Sequence, residues 1–331
     1  MVKVLVIGAP WADTAPGEVP EKGEYLFFSD ASRADYDWLA VCDEFPRRGD
    51  SPGVKDGKFL LSCPRERTIL LTQEPTSVKY YNRVYTSQFG HLLTNRPYEA
   101  EKHHHYHLGR GYYVWFVGRS YQEARAWRPG PKTKCISAVY SSKNMRHTLH
   151  HARCELLDYL SDHVRGLDRF GKDTRPITHK YEALDEYKYH LAVENHIGMH
   201  HWSEKVADAL LCETLPFYAG DPALGEVLPK DCFIPIPIND PPRAAKIING
   251  AIAAGEYEKR LPAIREARRL LLDKYNFRDQ IIEVIQNSYG QPIVPAEGPQ
   301  YLLTRKRTRL SLRGACGDLA HHCIRLLSRQ L

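Results

Sequence analysis

Tyr187-Lys-Tyr-His-Leu-Ala-Val-Glu-Asn195, followed after a polar loop by Ser203-Glu-Lys-Val206, is the stretch that decides the fold. Tyr187, Tyr189, Leu191 and Val193 alternate with Lys188, His190, Ala192 and Glu194, the period of a strand with two unlike faces. Ser203 is a good N-cap, and Glu204 in the next turn suits the positive end of a helix dipole. The segment therefore reads as strand, loop and helix start. Unpaired N–H groups of that first turn, together with the Lys205 ammonium, make an anion-binding corner. Beyond the helix come Glu213-Thr-Leu-Pro-Phe-Tyr-Ala-Gly220 and then Leu228-Pro-Lys-Asp-Cys-Phe-Ile-Pro235.

Working outward, strand-like and helix-like runs alternate along the whole chain. Val2–Ile7, Tyr36–Val41, Thr68–Thr72 and His91–Thr94 read as strands, with a helical stretch near Val78–Ser87. A polar connection carrying His103, His104, His105 and His107 leads to the apolar Tyr112–Val117. Arg128-Pro-Gly-Pro-Lys132 breaks the composition and is expected to be a linker. A second series follows: strand Cys135–Tyr140, helix His147–Val164, strand Tyr187–Glu194, a helix from Ser203, and strands Leu215–Tyr218 and Phe233–Ile238. Pro241-Pro242 then opens a run of helices. In Glu256–Tyr275, Leu261, Ile264, Ala267, Leu271 and Leu272 share one face. This pattern predicts an α/β fold of two Rossmann-like domains with an interdomain cleft, ligands binding at the carboxyl ends of the strands. The expected division is 1–130, 131–300 and a tail over 301–331.

Of 331 residues, 43% are hydrophobic and 26% charged, ordinary values for a globular protein. No run of about 20 apolar residues is present, and Met1–Pro10 reads as a strand rather than a leader peptide. Gly8-Ala-Pro-Trp11 lacks the GxGxxG pattern, and no GxxxxGK[ST] occurs, so neither a dinucleotide cofactor nor P-loop chemistry is expected. Eight scattered cysteines without a CxxC pair point to reduced thiols and a cytoplasmic enzyme. The net charge of +6 is concentrated at one end. From Thr304 onward, Arg305, Lys306, Arg307, Arg309, Arg313, Arg325 and Arg329 face a single acid, Asp318. Leu310–Leu331 can be drawn as a basic amphipathic helix, fit for peripheral attachment to an anionic surface on the inner membrane face, or as a disordered tail. No RNA- or DNA-binding motif accompanies the charge, so a nucleic-acid partner is not expected.

The segments from Glu186 to Ile236 resemble glycosyltransferase family 10, the α-1,3/1,4-fucosyltransferases, most closely a bacterial branch associated with surface polysaccharides such as lipopolysaccharide. A strand ending in Glu194-Asn195, a loop ending in Ser203-Glu-Lys205, a helix, Thr214-Leu-Pro216 and Pro229-Lys-Asp-Cys-Phe-Ile234 follow one another at the family's spacing. His151-Ala-Arg153 and Leu167-Asp-Arg-Phe-Gly171 extend the likeness upstream. The resemblance implies a GT-B enzyme that transfers a sugar with inversion, GDP-fucose as donor, and a glycan or lipid-linked oligosaccharide as acceptor. No metal or other cofactor is implied. Arg153 and Lys205 would contact the donor diphosphate, Glu204 and Asn195 the ribose and sugar, with Glu194, His201 and Ser203 completing the donor set. Glu74, in Thr72-Gln-Glu-Pro75, would be the base that takes the acceptor's proton.

The sequence departs from the family pattern at Val193, His196 and His201, near the position of the donor sugar, which leaves another nucleotide sugar as the rival donor. His105 and His107 are candidate acceptor contacts. Consecutive histidines on an extended segment point in different directions, so the run is not expected to hold a metal. His200-His201-Trp202 either stacks on the base or sugar, or forms a packed Trp with exposed histidines.

Overall fold

The structure is a computed structural model that describes residues 1–8, 19–21, 24–45, 53–75, 78–140, 149–295, 297–311 and 319. The chain divides into two units, Met1–Gly109 with Ile281–Leu331, and Arg110–Gln280.

In the first unit, β1 (Val2–Ile7), β2 (Val19–Glu21), β3 (Tyr25–Phe28) and β4 (Trp38–Cys42) come first. β5 (Val54–Lys55), β6 (Lys58–Leu60), β7 (Thr68–Thr72), β8 (His91–Thr94) and β9 (Tyr106–Leu108) follow. Seven of them form one sheet in the order β2-β3-β1-β4-β7-β8-β9. Every neighbouring pair is parallel except β2 with β3. β4, β7 and β8 are buried at every position, as strands covered on both faces must be. Leu5, Leu39, Leu70 and Leu92 anchor a core that also takes in Tyr85 of α1 (Arg83–Thr86). β5 and β6 form a second, antiparallel sheet with the strand Tyr301–Leu303.

The second unit contains α2 (Tyr121–Ala126), β10 (Lys134–Val139), α3 (His150–His163), β11 (Leu167–Phe170) and β12 (Tyr187–Val193). After them come α4 (Glu204–Leu211), β13 (Leu215–Ala219), β14 (Ile234–Pro235), α5 (Pro241–Ala253) and α6 (Glu256–Asp273). Its sheet is wholly parallel, ordered β11-β10-β12-β13-β14. Successive parallel strands step one way from β10 to β11 and the other way from β12 to β13. Right-handed crossovers then put α3 and α4 on opposite faces. α3 packs with α5, and α4 with α6. Between β10 and β12 the strand order reverses, and that switch point is where doubly wound sheets bind ligands.

Two expectations need correction. The linker expected at Arg128–Lys132 lies inside the second unit, whose boundary is at Gly109–Arg110. The stretch before it is held by packing: Trp115 and Trp127 sit against Val117, Leu184, Ala209 and Cys212. The Arg119 guanidinium lies 4.5 Å from each of the Trp127 and Tyr181 rings. Lys132 donates to the carbonyls of Leu184 and Cys212 and to the Thr214 hydroxyl, at 3.1, 2.6 and 2.9 Å. The start of the expected tail is also part of a folded unit. Tyr301–Leu303 pairs with β6, and Arg305, 6% exposed, binds Glu44 at 2.9 Å and the Tyr80 carbonyl at 2.7 Å. The remainder of the expected amphipathic helix, 312–331, lies outside the described residues except for the exposed Leu319.

Candidate functional site

The carboxyl end of β12 and the start of α4 are tied together by one carboxylate. Glu194, 1% exposed, accepts from the Ser203 N–H at 2.9 Å and from the Ser203 hydroxyl at 2.7 Å. Ser203 is the N-cap of α4, as its sequence position predicts, with Lys205 N–H donating to its oxygen at 3.4 Å. Lys205 Nζ stands 3.3 Å from Glu194 and 3.1 Å from Glu204. Burial opposes the charged form of Lys205, but the two carboxylates outweigh it and hold the ammonium above its ordinary pKa. Glu204 shows the converse balance. Burial pushes it up, and Lys205 with Lys180 brings it below the usual carboxylate value.

Arg153 reaches this corner from α3. Its side chain is 7% exposed, and it donates to Asn195 Oδ1 at 2.5 Å. Among the described residues it forms no salt bridge, unlike Lys205. Burial lowers its pKa, partly offset by the nearby Glu194 and Glu204. The guanidinium nevertheless stays protonated, because its ordinary pKa is so high. A buried cation whose hydrogen-bond partner among the described residues is an amide oxygen is costly in the free protein and favours an incoming anion.

Two further side chains line the same cavity with Arg153 and Lys205, and sequence reading missed both. Lys180, in the short turn Lys180–Ala183 before β12, pairs with the fully buried Asp208 of α4 at 2.9 Å. Burial raises Asp208 to about 6 despite that partner. His190 projects from β12. Its Nδ1 is 2.8 Å from the Ser137 hydroxyl, which itself donates to the Ala183 carbonyl. The ring nitrogen must then be the donor, leaving Nε2 as the acceptor. Burial, with Lys180 adding to it, takes His190 down to about 3, so it is neutral. The only sequence signal for these two was their place flanking and within the decisive strand. The cavity is about 20 Å³, room for a single water.

Of the remaining donor candidates, His201 is buried, lies 3.1 Å from the Tyr113 hydroxyl through Nδ1, and packs edge-on against His196 with ring centroids 5.2 Å apart. Trp202 is 2% exposed and part of the core, so it is the packed residue of the two readings, though His201 beside it is buried rather than exposed. Beyond Ile197 opens a pocket of about 500 Å³, walled by Tyr218, Gly220, Asp221, Lys230 and Phe233. Asp221 holds the intervening loop, accepting from the His200 N–H at 2.9 Å.

Glu74 belongs to the first unit. It follows the carboxyl end of β7, where its side chain is exposed and its carbonyl accepts from Arg96 at 2.6 Å. His105 and His107 belong to the edge-strand region of the same sheet, two strands from β7, and stand at different heights. His105 precedes β9 at the amino edge, level with Ile69, about 10 Å of strand rise below Thr72. His107 Nε2 lies 3.1 Å from His91 Nδ1, and the His91 and His105 rings are 5.1 Å apart. His107 is level with Leu71, one residue short of the carboxyl end of β7, and its imidazole, like that of His105, packs on His91. Among the described residues no group of three His, Cys, Asp or Glu side chains could hold a metal ion, and no helix is long and apolar enough to cross a membrane.

Residues 129–247 match the sequence model of glycosyltransferase family 10 (fucosyltransferase), C-terminal part. Comparison with curated proteins finds no match. Among solved structures, the chain is similar to one described as an α1,3-fucosyltransferase. The two are 13% identical, 86% of this chain and 89% of that one are covered, and the TM-score is 0.51. A second, described as an α1,3-fucosyltransferase with GDP, is 14% identical over 88% of this chain and 91% of that one, with a TM-score of 0.50. At these identities the likeness is one of fold, and the fold is that of the GT-B glycosyltransferases.

Proposed function

We propose that this glycosyltransferase, whose residues 129–247 match the family 10 sequence model, moves L-fucose from GDP-fucose to a hydroxyl of a glycan or lipid-linked acceptor, with inversion. The observation that carries this reading is Arg153, a buried guanidinium without a salt bridge among the described residues, beside Lys205 and Lys180 at the switch point of the second sheet. A diphosphate at the cavity mouth supplies the missing anion, and arginine's planar fork suits its oxygens. As the bond from the anomeric carbon to the β-phosphate oxygen breaks, charge builds on the leaving GDP. The fixed cations lower the energy of that state. Glu204 accepts from the ribose diol, and Asn195, oriented by Arg153, meets the sugar. Glu74 takes the proton of the attacking hydroxyl, which approaches the face opposite the departing phosphate.

The chemistry assigns neutralisation of the diphosphate to side chains, so activity is expected to survive a chelator. Titration with GDP, GDP-fucose, UDP and dTDP tests the donor. Selective binding of the guanine compounds is expected, and equal affinity for all four would sink the fucose assignment. His196 and His201, packed together where the family has other residues, favour a second reading, a different nucleotide sugar in the same site. A cytoplasmic location, peripheral on the inner membrane face, is consistent with a lipid-linked acceptor in surface-polysaccharide synthesis. Flotation of the full chain with anionic vesicles tests it.

A further inference from the structure

The segment 73–81 that carries Glu74 is irregular at both described ends, yet it is clamped by buried charge. Arg96, just beyond β8, is 4% exposed and ion-paired with Glu101, itself 8% exposed. The other guanidinium nitrogen, Nη2, donates both to the Glu74 carbonyl at 2.6 Å and to the Lys79 carbonyl at 2.7 Å. One nitrogen therefore gathers two points five residues apart. The guanidinium also lies 4.7 Å from the Tyr81 ring centre. Glu101 is held in turn by the Thr94 hydroxyl at 3.0 Å, which accepts from the Thr72 hydroxyl at 2.6 Å. On the opposite side, Asp43 accepts from the Gln73 N–H at 2.7 Å and from the Tyr81 hydroxyl.

Burying an ion pair is at best a weak source of stability, because desolvation offsets the attraction. What this pair supplies is geometry. A planar guanidinium presents one nitrogen to the carboxylate and another to the two carbonyls at a fixed spacing, which the single nitrogen of a lysine does not reproduce. We infer that Arg96, backed by Glu101, is a positioning residue that holds the Glu74 backbone so that its carboxylate meets the attacking hydroxyl. The inference rests on the reading of Glu74 as the base. Misplacing a catalytic group by about an ångström costs on the order of a hundredfold in rate.

Arg96→Lys tests it, since lysine keeps the charge opposite Glu101 and loses the fork. The assay is GDP release from GDP-fucose with water as nucleophile, read with hydrogen exchange across the chain. Expected is a fall in kcat of about 10- to 100-fold with KM for GDP-fucose within about twofold, and faster exchange confined to 73–81. In a Glu74→Gln background the same change should alter the residual rate by less than about twofold, whereas a merely structural role would lower that rate too. Thr94→Val, a milder release of Glu101, should move kcat in the same direction by about three- to tenfold even if Arg96→Lys folds poorly. Unchanged kcat in both variants, with Glu74→Gln inactive, overturns the positioning role and leaves the base in place. An active Glu74→Gln enzyme overturns the base reading, and this inference with it.

Discussion

Replacing Arg153 by glutamine should separate donor affinity from stability. Arg153 now carries the desolvation of a buried charge without a salt bridge among the described residues, its one hydrogen bond going to Asn195. Glutamine ends about where the arginine Nε lies, short of the Nη1 that reaches Asn195, but it brings no charge to desolvate. The free protein should therefore melt within about 3 °C of the unmodified one, or slightly higher, since about 1 kcal/mol moves a domain of this size by roughly 2–4 °C. Binding should suffer. Hydrogen bonds to charged groups contribute about 1.5–3 kcal/mol each, and a bidentate pair to a phosphate, partly compensated by water, comes to about 3 kcal/mol. At about 1.4 kcal/mol per tenfold, the Kd for GDP should rise about 100-fold. Calorimetric titration with GDP and thermal melting in one buffer read both quantities. Lys205→Gln is the contrast. It strips the Glu194–Glu204 pair of its cation, so both the melting point and GDP affinity should fall. A large drop in melting temperature for Arg153→Gln with an unchanged Kd would refute the anion-site argument.

Glu74→Gln should lower transfer by about 10²- to 10⁴-fold while leaving GDP affinity unchanged, as titration and turnover with the same preparation will check. Burial holds His91 at about 3 and His107 at about 4, both below the ordinary imidazole value, with neighbouring histidines adding to the effect. The unfolded chain binds these protons near pH 6.5 and the folded one does not. Stability should be full above about pH 6.5 and lost progressively below it, down toward those folded values. Melting followed from pH 7.5 to 5 should show the loss, and His91→Leu should flatten it. Gly111 has φ +73, and a Cβ there would lie 2.3 Å from the Trp202 ring. Gly111→Ala should accordingly cost about 2 kcal/mol or more in thermal unfolding.

Local pattern carried much of this fold. The buried β-branched and leucine runs Thr68–Thr72 and His91–Thr94 have the bounds their sequence suggests, and the Ser203 cap lies where the helix begins. β3 was not legible because Tyr25-Leu-Phe-Phe28, buried at all four positions, shows no alternation. Pro129 and Gly130 imitate a linker, and only the packing of Trp115 and Trp127 reveals that they lie within a unit. In the site, Glu194, Ser203, Glu204 and Lys205 are neighbours along the chain and could be read together. Lys180 joins them through its ion pair with Asp208, His190 shares their strand without a pattern that marks it, and Arg96 finds Glu74 across 22 positions. No periodicity records such meetings.

The strand Tyr301–Leu303 has a consequence for how the protein is made. It closes a sheet begun by Val54–Leu60, so the first unit is written in two pieces on either side of the contiguous 110–280. During synthesis from the N-terminus, that middle unit can fold as soon as it leaves the ribosome. The earlier-made residues must wait for the last segment to emerge before their edge is sealed and Glu44 acquires Arg305. Nascent chains stalled when residue 280 has left the ribosome and Tyr301 has not should thus carry a protease-resistant interior and a digestible front end.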